Sequence, residues 1–267
     1  MKLIRNLKGC LLLVFYLIFA LPVHSQYISA HRGNDGFAPE NTLSAFRNTL
    51  LLGVEYIEVD VRTTEDQVLM IMHDGNIDRT TQGKGPFKNF TSAYLKTLSA
   101  GKGYPGIFEN EKIPTLEETC QLIYEWNLTH EVKTFLYIDA KDVEPKPLLS
   151  ILNKYKLKEN SVYYGSDNFL LRLKMEFEEA KLLPALKNPN EIIQKFNTLK
   201  PFAFDVHWSV LTNNLVDEVH QLGVKVFTDL LGPLDTDNHY IKAREMGVDL
   251  IQTDRILAVQ KIVKTQK

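Results

Sequence analysis

The chain contains very little cysteine, with two residues among 267. Cys10 lies in an N-terminal segment that we predict to be removed, so Cys120 alone remains and an intrachain disulfide is excluded. Cys120 falls in an apolar helical pattern, which predicts a buried and unreactive side chain. The hydrophobic core must therefore stabilise the fold without a cross-link, and about 240 residues suffice for one large domain.

The sequence also has no excess of basic charge. It holds 31 basic and 33 acidic residues, and the first 25 residues contain three of the basic ones and none of the acidic ones. Their removal leaves a net charge of −5. This balance argues against a nucleic acid as partner, and it provides no polybasic membrane anchor.

The first 25 residues resemble a secretory signal peptide. Three basic residues precede a short apolar run from Leu11 to Ala20, and Val23 and Ser25 are the small residues expected before a cleavage site. The run is short for a membrane-spanning helix, although an uncleaved N-terminal anchor is the alternative. We therefore predict a signal peptide over residues 1–25 and a single domain over 26–267. The mature protein would be exported to the periplasm or secreted.

Short apolar runs rich in β-branched and aromatic residues alternate with amphipathic stretches along the whole mature chain. This alternation predicts a parallel sheet with helices between its strands, either a closed (βα)8 barrel or an open doubly wound sheet. The predicted strands are Tyr27–Ala30, Tyr56–Val61, Val68–Met72, Phe135–Ala140, Val162–Tyr164, Leu182–Ala185, Phe202–Val206, Lys225–Thr228 and Leu250–Gln252. The predicted helices are Leu43–Leu51, Leu116–Trp126, Leu148–Tyr155, Leu170–Phe177, Glu191–Phe196, Leu215–Gln221 and Tyr240–Met246.

Two features favour the barrel. The number of strands is near eight, and charged residues follow several different strands, whose ends converge on one mouth in a TIM barrel. The run Val68–Met72 follows Tyr56–Val61 after a short polar turn, which predicts a hairpin. Residues 75–114 interrupt the alternation after this second strand region and contain only one short helical pattern, Ser92–Leu98. A segment of this length is typical of a lid or binding loop.

Carboxylates lie at the ends of two predicted strands. Glu58 and Asp60 alternate with Ile57, Val59 and Val61, so the two carboxylates share one face of their strand. Asp139 and Lys141 are arranged in the same way. Three carboxylates at one rim would repel one another unless a cation lay between them, and their oxygens suit a hard divalent ion such as Ca²⁺ or Mg²⁺. The sequence has no Cys/His spacing typical of zinc.

Two histidines also end apolar strands. His31 and His73 could exchange protons near neutral pH if they lay beside the same metal. Arg32 and Lys141 are also expected at this rim, and two cations beside a metal ion are favourable only if an anion neutralises their charge. A phosphate is suitable, because it can bind both the guanidinium fork and the ammonium group. The set of groups favours displacement at a phosphodiester.

Seven short motifs occur in an order and spacing similar to the glycerophosphodiester phosphodiesterase family. They are His31-Arg32-Gly33, Pro39-Glu40-Asn41-Thr42, Glu58-Val59-Asp60, His73-Asp74, residues 78–85 (DRTTQGKG), residues 113–118 (IPTLEE) and residues 247–254 (GVDLIQTD). Each motif is weak alone, but the ordered set is specific and spans essentially the whole mature chain.

The resemblance implies a TIM barrel that hydrolyses glycerophosphodiesters to sn-glycerol 3-phosphate and an alcohol. It implies one Ca²⁺ or Mg²⁺ ion bound by Glu58, Asp60 and Asp139, although the family usually has Glu at the last position. It also implies that His31 and His73 are the acid/base pair, with Arg32 and Lys141 on the phosphate.

Further residues are candidates for supporting this site or lining its pocket. They are Glu40, Asn41, Asp74, Trp208 and Phe227. Asn41 and Asp74 are expected to orient the groups that contact metal or substrate. Phe227 begins a Phe-Thr-Asp sequence where the family has an aromatic-Thr motif. The resemblance therefore does not define which residues form this wall of the substrate pocket. For Asp254, which follows the last strand, a structural hydrogen bond is expected rather than metal binding.

Two other functions remain open. A lysophospholipase D-like enzyme would use the same groups on lysolipids, and a catalytically inactive barrel would only bind phosphodiesters; the presence of both histidines argues against the second. The nucleophile is either water or the substrate's own hydroxyl. We expect the hydroxyl, because it is already held beside the phosphorus. The head group and oligomeric state are not predicted.

Overall fold

The computed structural model describes residues 26–33, 36–104 and 106–264. The predicted signal peptide lies outside these residues, so it remains a prediction. Within the described part of the chain, we find no helix that combines the length and the hydropathy needed to cross a bilayer.

Nine parallel strands form a nearly closed barrel, which confirms the predicted fold class. Their order around the sheet is β6-β5-β4-β2-β1-β10-β9-β8-β7, and β3 pairs with β2 outside this path. The strands are β1 (Tyr27–Ala30), β2 (Tyr56–Thr63), β3 (Leu69–Ile71), β4 (Phe135–Ala140), β5 (Val162–Tyr164), β6 (Lys181–Leu183), β7 (Ala185–Leu186), β8 (Ala203–Val206), β9 (Lys225–Asp229) and β10 (Leu250–Thr253).

Strands β6 and β7 are the two halves of one barrel strand, interrupted at Pro184. Proline has no backbone N–H to donate to a ladder, so the strand breaks there. β6 pairs with β5 and β7 pairs with β8. The Phe202 N–H also donates to the Leu182 carbonyl at 2.9 Å, which joins β6 to the segment that leads into β8. Counted this way, the barrel has the eight strand positions that the sequence predicts.

Helices follow most barrel strands and cover the outside of the sheet. They are α1 (Leu43–Leu52), α2 (Ser92–Thr97), α3 (Leu116–Thr129), α4 (Pro145–Lys154), α5 (Asp167–Glu176), α6 (Ile192–Leu199), α7 (Asn213–Gln221), α8 (Asp237–Glu245) and α9 (Ile256–Lys264). The Thr115 side chain accepts the Glu118 N–H and the Glu118 carboxylate accepts the Thr115 N–H, a capping box that starts α3. Helix α9 has no counterpart among the predicted helices.

The inward side chains change from apolar to polar along the barrel axis. On β2, Ile57, Val59 and Val61 pack outward against the helices, whereas Tyr56, Glu58 and Asp60 point inward. Tyr56 belongs to an aromatic-rich cluster at the amino ends of the strands. Because side chains alternate along a strand, Glu58 and Asp60 face the same way as Tyr56 but lie nearer the carboxyl end of β2, at the barrel mouth.

The predicted hairpin and insertion are both present. β3 pairs antiparallel with β2, with Val61 opposite Ile71. Residues 75–114 then pack against the hairpin through a small apolar cluster, in which Met70 and Met72 come from β3 and the residue after it. The other members are Ile77, Phe87, Leu95, Ala100 and Ile113. The insertion meets the start of α1 where Ser44 Oγ donates to Glu111 at 2.6 Å.

Candidate active site

A cavity of about 220 Å³ opens at the carboxyl ends of the strands. Its lining brings together six of the seven residues predicted to bind metal or phosphate or to catalyse, and it adds five others. The lining residues are His31, Arg32, Glu58, Asp60, His73, Tyr137, Asp139, Tyr164, Asp229, Leu231 and Gln252. Lys141, the seventh predicted residue, contacts two of the carboxylates in this wall.

The turn after β1 places His31 and Arg32 at the mouth. Arg32 adopts a left-handed conformation (φ 54°, ψ 24°) that is unusual for a residue with a side chain. Hydrogen bonds stabilise it, because the Arg32 N–H donates to Glu58 Oε2 at 2.7 Å and its carbonyl accepts the Asn41 N–H at 2.9 Å. Gly33 is required next, since a Cβ there would lie 2.3 Å from the Phe46 ring.

Glu58, Asp60 and Asp139 form a compact cluster. Each offers one carboxylate oxygen within 4.8 Å of the others, and Glu58 and Asp60 are only 3% and 1% exposed. Burial, together with the negative charges of Asp60 and Asp139, raises the pKa of Glu58 well above its ordinary value. Three oxygen donors with unfavourable mutual repulsion fit a divalent cation, which would remove that repulsion.

Two cationic side chains border this cluster. Lys141 Nζ lies 2.9 Å from Asp60 Oδ1 and also donates to Asp139, while Arg32 Nε lies 3.6 Å from Asp60 Oδ2. Burial lowers the pKa of Lys141, but the carboxylates of Asp60 and Asp139 outweigh it, so the pKa is raised and the ammonium stays charged. Each predicted phosphate-binding cation therefore contacts at least one of the predicted metal ligands.

Asn41 and Glu40 support these groups, as expected for residues behind a binding site. Asn41 Nδ2 donates to Asp60 Oδ2 at 2.7 Å, which orients that carboxylate. Glu40 Oε1 accepts from Arg32 Nη1 at 2.8 Å. Burial raises the pKa of Glu40, but hydrogen bonds from Arg79 and the charges of Arg32 and Arg79 hold it below its ordinary value.

Each histidine contacts an aspartate through the same ring nitrogen. His31 Nδ1 lies 2.9 Å from Asp254 Oδ1, and His73 Nδ1 lies 2.7 Å from Asp74 Oδ1. A neutral ring bonded in this way carries its proton on Nδ1 and leaves Nε2 as the acceptor. The structural hydrogen bond expected for Asp254 is thus present, and its partner is one of the two predicted catalytic histidines.

Sequence reasoning missed a second pair of inward carboxylates, Asp205 on β8 and Asp229 at the end of β9. Burial, reinforced by Asp229 and Asp139, raises the pKa of Asp205 well above its usual range. Burial also raises the pKa of Asp229 to about 6, with His31 opposing the shift and Asp139 adding to it. The alternation that identifies Glu58 and Asp60 also identifies Asp229, which lies two residues after the inward Phe227.

The two predicted pocket residues Phe227 and Trp208 lie away from the cavity wall. Phe227 is buried in the aromatic cluster below the mouth, with its ring centroid 6.2 Å from Phe202 and 6.5 Å from Tyr56. It is one inward position deeper than Asp229, which takes the place at the wall. Trp208 packs edge-on against His239, with ring centroids 5.2 Å apart.

Comparisons with known proteins agree with this fold and site. Residues 31–258 match the model of the glycerophosphoryl diester phosphodiesterase family, and the chain belongs to this family. A glycerophosphodiester phosphodiesterase of Caldanaerobacter subterraneus subsp. tengcongensis is 32% identical over 241 residues, covering 85% of this chain and 93% of the relative. The enzyme of the same name from Bacillus altitudinis is 28% identical over 236 residues, covering 85% and 94%.

Two solved structures share the fold. A glycerophosphodiester phosphodiesterase from Agrobacterium tumefaciens superposes with a TM-score of 0.78 at 24% identity, covering 88% of this chain and 98% of that one. An Oleispira antarctica phosphodiesterase, solved in complex with the product sn-glycerol-3-phosphate, gives a TM-score of 0.76 at 22% identity, covering 89% and 96%. Family membership and fold together make this protein an enzyme of the phosphodiesterase class, with a cluster of three carboxylates that can bind a divalent metal.

Proposed function

We propose that this protein hydrolyses glycerophosphodiesters to sn-glycerol 3-phosphate and an alcohol, with one Ca²⁺ or Mg²⁺ ion bound by Glu58, Asp60 and Asp139. The observation that carries the proposal is the content of one cavity: two histidines, three clustered carboxylates and a guanidinium group, with an ammonium group at its wall. The product complex of the Oleispira antarctica relative supports the same substrate class.

The charges of the cavity suit a phosphodiester. A divalent ion, when bound, supplies Lewis-acid polarisation of a phosphoryl oxygen and stabilises negative charge as it develops. Arg32 offers a planar donor fork and Lys141 a point charge, which are the two common ways of binding phosphate oxygens. Both groups are already held within the site by Glu40, Asp60 and Asp139, so little reorientation is needed when the substrate enters.

The two histidines supply the proton transfers. In the proposed reaction His31 is neutral and accepts the proton of the nucleophile through Nε2, and His73 enters as imidazolium and donates its Nε2 proton to the departing alkoxide. Asp254 and Asp74 hold the two rings by their Nδ1 atoms, which directs each Nε2 towards the cavity in the proposed reaction. The first nucleophile is the substrate hydroxyl adjacent to the phosphoester, which gives a cyclic phosphate; water then opens the ring with the proton roles reversed.

A panel of substrates tests the proposal. The purified protein is incubated with glycerophosphocholine, glycerophosphoethanolamine and lysophosphatidylcholine, each with a chelator, Ca²⁺ or Mg²⁺. We expect the first two to be cleaved in the presence of metal. Cleavage of the lysolipid alone would select the lysophospholipase D-like alternative, and binding without turnover of any compound would select the inactive barrel. Export of the protein remains part of the proposal and rests on the sequence of residues 1–25.

A further inference from the structure

Arg79 lies in the insertion and binds two carboxylates of the mouth at once. Its Nε and Nη2 donate to Asp74 Oδ2 at 2.7 Å and Oδ1 at 3.1 Å. Its Nη1 and Nη2 donate to Glu40 Oε2 at 2.7 Å and Oε1 at 2.8 Å. One guanidinium group therefore makes four hydrogen bonds and holds both carboxylates in bidentate geometry.

The same two carboxylates hold residues of the proposed active site. Asp74 Oδ1, which accepts from Arg79 Nη2, lies 2.7 Å from His73 Nδ1. Glu40 Oε1, which also accepts from Arg79 Nη2, accepts from Arg32 Nη1 at 2.8 Å. A single nitrogen of Arg79 thus connects the oxygen that holds the imidazole to the oxygen that holds the phosphate-binding arginine.

This network does little for overall stability. The Arg79 side chain is 46% exposed, and solvent screens ion pairs at such positions so that they contribute little to folding. Its effect is on orientation, because a planar guanidinium fixes the plane of each carboxylate that it binds with two bonds. Hydrogen bonds from Arg79 are also the largest cause of the lowered pKa of Asp74, so this carboxylate remains ionised as an acceptor for His73.

We propose that Arg79 is a positioning residue that sets His73 and Arg32 in a fixed relation through Asp74 and Glu40. The role rests on the proposed function, since it assumes that His73 transfers a proton and Arg32 binds the phosphate. Nothing in it requires Arg79 to touch the substrate. A lysine at this position keeps the charge but cannot hold two carboxylates by two bonds each.

Kinetics of Arg79→Ala and Arg79→Lys test the proposal, with Arg172→Ala as the matched control. Arg172 is a similarly exposed arginine that pairs with Glu144 on the outside of the barrel. We expect both Arg79 variants to lower kcat for glycerophosphocholine by about 10-fold or more, as is typical for residues that orient catalytic groups. Their Tm should stay close to that of the wild type, and the control should keep full activity.

A second background separates positioning from direct contact with the substrate. In the Glu40→Ala/Asp74→Ala double variant, further replacement of Arg79 by Ala should change kcat less than about twofold, because its two partners are already gone. A loss as large as in the wild-type background would overturn the proposal. Wild-type kcat in Arg79→Lys would overturn it as well, because charge alone would then suffice.

A spectroscopic measurement decides the question without turnover. In protein labelled with ¹⁵N-histidine, at a pH where the free enzyme's rings are neutral, the His73 signal, assigned with His73→Ala, should show the Nδ1–H tautomer in the wild type and a mixture of tautomers in Arg79→Ala. Identical His73 spectra in both would overturn the positioning role. If the wild type cleaved no glycerophosphodiester but its tautomer changed in Arg79→Ala, the proposed function would fail while the network around His73 would stand.

Discussion

Asp254 Oδ1 lies 2.9 Å from His31 Nδ1, although the two residues are 223 positions apart in the sequence. The register of the barrel explains this contact. β1 pairs in parallel with β10, with Ala30 opposite Thr253. The residues that follow these two, His31 and Asp254, therefore lie side by side at the mouth. The last strand of the fold thus provides the carboxylate that fixes the ring of the first proposed catalytic residue.

Replacement of Asp254 by Ala should therefore lower kcat while the fold is kept. We expect a loss of about 10-fold or more, because the His31 ring would no longer be held in the tautomer that exposes Nε2. Steady-state assays of glycerophosphocholine hydrolysis measure the effect. Asp237→Ala, at an exposed aspartate on α8, is the control and should have wild-type activity. Equal kcat in both variants would show that His31 needs no carboxylate partner.

Metal removal should abolish turnover. Dialysis against a chelator leaves Glu58, Asp60 and Asp139 without the cation that offsets their repulsion, and addition of Ca²⁺ or Mg²⁺ should restore the rate. The Glu58→Gln variant should bind metal more weakly by isothermal titration calorimetry, because it loses one anionic ligand. Full activity of the chelated wild-type protein would refute the metal-dependent mechanism.

The stability of the metal-free protein should depend on Asp229. Its pKa is raised to about 6 by burial, against about 3.9 in an unfolded chain, so the folded state binds a proton that the unfolded state releases. Stability from this group is complete below pH 4 and is lost as pH rises through 6. Asp229→Asn should therefore raise Tm relative to the wild type at pH 7.5, and the difference should disappear towards pH 4.

Thermal denaturation in chelator at several pH values measures this difference. Asp217→Asn, at an exposed residue of α7, is the control and should show no comparable dependence on pH. A Tm difference for Asp229→Asn that stays constant between pH 4 and 7.5 would mean that the carboxylate is ionised throughout this range.

The barrel and the cluster of three carboxylates could be predicted because both follow from short-range periodicity. Alternation on β2 gives Glu58 and Asp60 a common face, and the convergence of parallel strands at one end brings Asp139 to them. The family resemblance then supplies roles for His31 and His73. None of these inferences requires knowing which strands are neighbours in the barrel.

The partners of these groups could not be predicted in the same way. The contact of Asp254 with His31 depends on which strands are neighbours where the barrel closes, and the contacts of Arg79 depend on the path of a 40-residue insertion that has little regular structure. The position of Phe227 below the cavity wall could not be predicted, because the sequence shows which residues face inward but not their depth along the barrel axis. The break at Pro184 was not predicted either, since Leu182–Ala185 is expected as one strand and the structure divides it into β6 and β7.

A substrate analogue distinguishes the two possible nucleophiles. If the hydroxyl adjacent to the phosphoester attacks first, an analogue with hydrogen in its place should be cleaved far more slowly at saturating concentration, because the advantage of intramolecular attack is lost. Product formation from the analogue and from glycerophosphocholine is compared at equal enzyme concentration. Cleavage at the normal rate would exclude the cyclic route and leave direct attack by water.

³¹P NMR of glycerophosphocholine turnover tests most directly whether His31 and His73 transfer the protons for glycerophosphodiester hydrolysis. The wild type should produce sn-glycerol 3-phosphate, and His31→Ala and His73→Ala should each be slower by at least about 10²-fold with a near-normal Tm. His130→Ala, at an exposed histidine after α3, should match the wild type. Formation of choline phosphate, or wild-type rates in either folded active-site variant, would contradict the account.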